Sequence, residues 1–120
     1  MKEEVARIGQ ELGLRVFKEV EVGRRLWGAR RRIDVVVKNP KTGQTLGIEC
    51  KYQATPGTAQ EKIPAIVQDI QAWPIPGLIV FAGEGFSNDM RSYLYSTGKA
   101  VELEDLRIWL QLFFGFDISN

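Results

Sequence analysis

The 120-residue chain has no histidine and a single cysteine, Cys50. Without histidine there is no Ser-His-Asp or Cys-His catalytic arrangement, no histidine-ligated zinc and no zinc finger. One cysteine excludes an internal disulfide framework. No apolar run approaches the length of a membrane span. The first residues, MKEEVARIGQELG, read as an amphipathic helix with acids near its start, not as a secretory leader. The expectation is a cytoplasmic protein with no membrane association. Internal repeats and low-complexity tracts are also missing. Carboxylates and main-chain carbonyls are what is left to hold a metal, and they suit Mg²⁺ or Mn²⁺.

What is present is ordinary in bulk, with 44% hydrophobic and 26% charged residues. The length fits one modest domain spanning residues 1–120. The net charge of +1 hides an asymmetry. Residues 1–60 carry 12 Lys and Arg against 7 Asp and Glu, whereas residues 61–120 carry 4 against 8. The first half can therefore present a basic face to an anionic partner.

Periodicity predicts a helix over residues 3–12, closed by Gly13, and a strand over 14–22. Residues 23–32 read as a loop or strand edge crowded with arginine. A valine-rich strand over 33–38, the turn NPKTGQ and a returning strand over 45–52 form a hairpin. A helix over 60–73 must place Pro64 in its first turn or break there. A strand over 78–82, a helix over 88–96, a strand over 99–103 and a helix over 104–114 complete the order α-β-β-β-α-β-α-β-α. That is an α/β fold with a mixed central sheet flanked by helices.

The returning strand contains IECKY. Side chains alternate along a strand, so Glu49 and Lys51 share one face, while Ile48, Cys50 and Tyr52 share the other. The hairpin can bring Asp34 beside Glu49. Two carboxylates aimed at one space repel each other, and a divalent cation relieves that repulsion by taking their oxygens as ligands. The Cys50 carbonyl can add a ligand, and Lys51 can assist water and stabilise charge developing on a phosphate. A Glu-x-Lys pair is also common as surface salt-bridge decoration. Asp34, on the neighbouring strand, is what sharpens this one into a three-point site. The Cys50 thiol reads as a packing group.

The segment RIDVVVKNPKTGQTLGIECKYQ resembles the core of the PD-(D/E)XK nuclease superfamily, with Asp34, Glu49 and Lys51 on its motif positions and Ile33 where some members carry proline. The resemblance covers roughly residues 3–82 and implies a restriction-endonuclease-like αβββαβ core. It also implies metal-dependent phosphodiester hydrolysis with Mg²⁺ as cofactor, Mn²⁺ substituting, and a product with a 5′-phosphate and a 3′-hydroxyl. Many members add a glutamate from the first helix; Glu4 suits that placement, with Glu3 and Glu11 as alternatives. By the same resemblance Gln53, Gln60 and Lys62 lean over the site.

Arg24, Arg25, Arg30, Arg31 and Arg32 lead directly into Asp34. Arginine forks suit phosphate oxygens, and such contacts position a backbone without reading sequence. DNA as the partner, in preference to RNA, is what the resemblance implies. The segment LRIWLQLFFGF within residues 104–116 carries more apolar side chains than one helix stripe can bury, which suggests a homodimer or higher homo-oligomer. A duplex endonuclease, a Holliday-junction or other branched-DNA resolvase, and a noncatalytic DNA-binding or assembly domain with this fold all remain open.

Overall fold

The computed structural model describes residues 1–24, 30–56 and 62–117. The elements are α1 (Lys2–Glu11), β1 (Arg15–Arg24), β2 (Arg30–Lys38), β3 (Thr45–Tyr52), α2 (Ile63–Gln71), β4 (Gly77–Ala82), α3 (Asn88–Ser96), β5 (Ala100–Glu102) and α4 (Leu106–Phe114). The five strands form one sheet in the order β1-β2-β3-β4-β5. The first two pairings are antiparallel and the last two parallel, so the sheet is mixed as expected.

The hairpin between β2 and β3 forms where NPKTGQ was read as a turn. The Asn39 side chain accepts from the Lys41 amide at 2.9 Å, and Gly43 takes the positive φ of 80° that closes it. Its register places Val35 opposite Ile48 and Val37 opposite Leu46. Residues 23–32, read as a loop or strand edge, include strand at both ends: β1 continues to Arg24 and β2 begins at Arg30, with Arg24 paired to Arg30. Helix α2 starts at Ile63, with Pro64 in the first turn, where its missing N–H costs no helical hydrogen bond. The last helix is preceded by a 3₁₀ turn over Leu103–Asp105 and ends on Gly115 in the left-handed conformation.

Two apolar clusters sandwich the sheet. Val5, Ile8, Leu106 and Leu110 from α1 and α4 pack on Val37, Leu46, Ile48 and Val80. On the other face, Ile63, Val67 and Ile70 from α2 and Leu94 from α3 pack on Val36, Ile79 and Phe81. β4 is buried on both faces, as its uninterrupted apolar sequence GLIVFA requires of a parallel strand. Gly47 is required by close packing: a Cβ there would lie 2.9 Å from the Trp73 ring. Among the described residues, no helix is long and apolar enough to cross a membrane.

β1 and β2 change the face they bury partway along. Val16, Val35 and Val37 belong to the cluster under α1 and α4, whereas Val20, Val22 and Ile33 belong to the cluster under α2 and α3. The switch occurs at Glu19 in β1 and Asp34 in β2. Glu19 has a φ of 53°, which interrupts strict strand alternation. Asp34 thereby stands where the sheet turns, not within a regular pleat.

Candidate active site

The regular ladder between β2 and β3 stops at the Val35–Ile48 pair, while β3 stays paired with β4 through Tyr52. Beyond Ile48 the two strands part, and a side chain takes over from the main chain: the Cys50 amide donates to Asp34 Oδ2 at 2.9 Å. The N–H and C=O of a strand residue lie on the same edge. The Cys50 carbonyl is therefore directed to the edge where Asp34 stands. This parting of two strands makes the recess in which the three motif residues meet.

Glu49 and Lys51 share the sheet face occupied by α2, with Glu49 beside Ile79 and Lys51 beside Phe81 in the β3–β4 register. Ile48 lies in the opposite cluster and Cys50 packs against it. Tyr52, on the Cys50 face by alternation, is 67% exposed. It lines a cleft of about 340 Å³ with Met1, Glu4, Ala82 and Leu103 at the carboxyl ends of the parallel strands.

The electrostatics follow from this placement. The side chains of Asp34 and Glu49 are each only 18% exposed. Burial and then the neighbouring Asp34 charge push the Glu49 carboxyl up to about 7, against the opposing pull of Lys51. Lys51 Nζ stands 3.8 Å from Glu49 Oε1, a loose pair that leaves the ammonium donors available to another anion. Burial, with the charges of Asp34 and Glu49, pushes the Cys50 thiol up to about 12, which suits a packing group and not a nucleophile.

Two residues at the site were not anticipated from the sequence. Lys2 Nζ lies 3.6 Å from Asp34 Oδ1 and also pairs with Glu19. Glu19 falls between the Lys18–Val35 and Val20–Ile33 pairs, opposite Asp34. The signal for Glu19 is its position in the strand before Asp34, and it becomes readable only with the β1–β2 register in hand.

The remaining expected residues are placed as follows. Glu4 is about half exposed and lines the Tyr52 cleft; its ion pair is with the N-terminal ammonium at 3.6 Å and not with Asp34 or Glu49. Glu11 is held at the outer surface by Arg7 at 3.1 Å and by Arg107. Gln53 is buried and turned inward, its amide donating to the Gly85 carbonyl at 3.1 Å, which withdraws it from any backbone lying on the surface. Lys62 is exposed just before α2. Arg32 is exposed, with Glu21 at 4.0 Å. Arg25, Gln60 and the side chains of Arg24, Arg30 and Arg31 lie outside the described residues.

Among the described residues, no group of three or more His, Cys, Asp and Glu side chains converges as a metal cage. The local donor set is two carboxylates with the Cys50 carbonyl on the same edge. That set fits Mg²⁺, which is ordinarily held by one or two carboxylates and keeps waters or phosphate oxygens in its other positions. The raised pKa of Glu49 points the same way, because a divalent cation relieves the repulsion that contributes to it.

Comparisons with known proteins agree with the fold. No curated protein matches the chain. A solved structure of a protein of unknown function, AF1548, is 23% identical, superimposes with a TM-score of 0.59 and shares the fold. The match covers 84% of this chain and 55% of that one, so the chain spans little more than half the length of that neighbour. The family model for the PD-(D/E)XK nuclease superfamily domain matches residues 1–110, which include α1, the mixed sheet and both strands that carry the motif. With the model spanning nearly the whole chain and Asp34, Glu49 and Lys51 meeting where β2 and β3 part, the chain belongs to the PD-(D/E)XK nuclease superfamily.

Proposed function

We propose that the protein is a Mg²⁺-dependent DNA endonuclease. The observation that carries this reading is the meeting of Asp34, Glu49 and Lys51 at the mouth between β2 and β3, with Glu49 held up to about 7 by burial and by Asp34. Asp34, Glu49 and the Cys50 carbonyl would hold the ion. When bound, the ion supplies a more acidic water and polarises the phosphoryl group.

The protein's own groups do the rest. The Cys50 amide fixes the Asp34 carboxylate in orientation. Glu49 would hold the ion as the carboxylate, with its proton released to solvent. Lys51 directs its ammonium at the attacked phosphate and counters the charge that develops there. Water adds to phosphorus as the bond to the 3′-oxygen breaks, leaving a 5′-phosphate and a 3′-hydroxyl. Arg32 and Lys62, both exposed, would meet the phosphate backbone in this reading. In this reading two copies act together to cut both strands of a duplex or a branched junction.

The test is a panel of supercoiled plasmid, linear duplex, single strand, flap and four-way junction, each with Mg²⁺, Mn²⁺ or EDTA. The expected result is metal-dependent cutting of at least one substrate, lost in Glu49→Ala and Lys51→Ala. The substrate that is cut separates a duplex endonuclease from a branched-DNA resolvase. Binding without cutting under every condition would replace the enzyme with a noncatalytic binding domain, and full cutting by either variant would remove the site.

A further inference from the structure

We propose that Lys2 is a positioning residue, a tethered cation held between Glu19 and Asp34 that a divalent ion must displace from Asp34, so that this lysine sets how tightly the site takes its metal. The inference rests on the reading of Asp34 and Glu49 as the metal-holding pair.

Both oxygens of Asp34 have partners. Oδ2 accepts from the Cys50 amide at 2.9 Å, and Oδ1 faces the Lys2 ammonium at 3.6 Å. The two acids of the motif therefore have different lysines. Glu49 has Lys51 from its own strand, 3.8 Å away, while Asp34 has Lys2 from the first residue of α1. An ion arriving at the pair meets a cation already seated on one member. Like charges at that separation cannot both be held closely in a half-buried recess.

Glu19 makes Lys2 displaceable without loss of the helix end. It pairs with Lys2 from the far side, and the Lys2 side chain is 39% exposed, so its head can withdraw from Asp34 and keep Glu19. Glu19 is the only described residue other than glycine with a positive φ, at 53°. A long acidic side chain gains nothing from that conformation, and such strain persists where surrounding contacts impose it. Here the conformation sets Glu19 opposite Asp34 with Lys2 between them.

Direct Mn²⁺ binding to the full chain tests this, read by the electron paramagnetic resonance of free Mn²⁺ at fixed pH and ionic strength, with no substrate present. Lys2→Met should bind Mn²⁺ about fivefold more tightly than wild type, the size expected for loss of a partly exposed ion pair. Lys2→Arg keeps a cation there and should stay within about twofold of wild type. Lys18→Met removes a nearby charge from β1 and should also stay within about twofold, since a field effect without contact is screened by solvent. An unchanged Lys2→Met, or a Lys18→Met that tightens as much, overturns the inference. Lys2→Gln replaces Lys2→Met if thermal melting shows the latter to be misfolded. Binding by wild type that is lost in Asp34→Asn, with Lys2→Met unchanged, removes the role of Lys2 alone. Equal binding by wild type and Asp34→Asn, or no binding by wild type, removes the metal reading and this inference with it.

Discussion

The Asp34 carboxylate accepts the Cys50 amide at 2.9 Å, at the point where β2 and β3 cease to pair through their main chains. The same side chain thus closes the sheet and opens the site. Asp34→Asn keeps an acceptor oxygen, whereas Asp34→Ala leaves the Cys50 N–H unpaired in a half-buried recess. Both lose the charge beside Lys2 and Glu49, so their difference isolates the hydrogen bond. Asp34→Ala should be less stable than Asp34→Asn by about 1–2 kcal/mol in urea unfolding. Equal stability would mean that solvent readily takes the amide.

Glu49 makes stability depend on pH in a direction opposite to that of a salt-bridged acid. Its carboxyl is raised from 4.5 to about 7, so between those values the folded chain holds a proton that the unfolded chain has released. Stability from this group is therefore full below 4.5 and falls as pH rises to about 7. Glu49→Gln should be more stable than wild type at pH 8, by about 3 kcal/mol at most, and should show no advantage at pH 4. Melting curves at the two pH values decide it.

Mg²⁺ should reverse that penalty. At pH 8 the ion should raise the melting temperature of wild type more than that of Glu49→Gln, because only the native carboxylate pair binds it. Affinity for the ion should rise with pH through about 7, as Glu49 releases its proton, and then level off. Calorimetric titrations with Mg²⁺ or Mn²⁺ across pH 5–9 would read both the affinity and the released proton. A flat pH profile would exclude Glu49 from the ligand set.

Cys50 should be slow toward thiol reagents. With its thiol pushed to about 12 from an ordinary value of 9.0, the thiolate population at pH 8 is about a thousandfold smaller than that of a free cysteine. Labelling by a disulfide reagent should be slow in buffer and become rapid in unfolding concentrations of urea. Rapid labelling of the folded chain would show that the thiol is neither buried nor held neutral.

The loop after β4 depends on close main-chain contact. A Cβ on Gly85 would lie 2.4 Å from the Thr55 carbonyl oxygen, and the Gly85 amide donates to the Gln53 carbonyl at 2.8 Å. Gly85→Ala should cost about 3 kcal/mol in stability, because main chain and not a flexible side chain must move. The buried Gln53 amide would lose its partner in the same shift.

Alternation and turn chemistry were enough to read the elements and their order from residues alone. The valine run before NPKTGQ, the returning IECKY and the apolar GLIVFA each announce a strand through local pattern, and Gly13 and Gly98 announce helix ends. The same period-two rule put Glu49 and Lys51 on one face and Ile48 and Cys50 on the other, which is where they stand. Those properties depend on neighbours in sequence, so they are legible in one dimension.

Tertiary structure alone decided which other charges reach the site. Glu4 suited the helix position named by resemblance, yet Lys2, two residues earlier, is the α1 residue that reaches Asp34, because at 3.6 residues per turn side chains two apart point to nearly opposite sides and only the docking angle of α1 selects one. Glu19 depends on the β1–β2 register and on a single positive φ, neither of which its side-chain type announces. Gln53 follows Lys51 by two residues, but the approach of the Gly83–Gly85 loop turns it inward. The motif was written in the spacing of Asp34, Glu49 and Lys51; the cation on Asp34 comes from the packing of one helix across a sheet that changes its buried face at that residue.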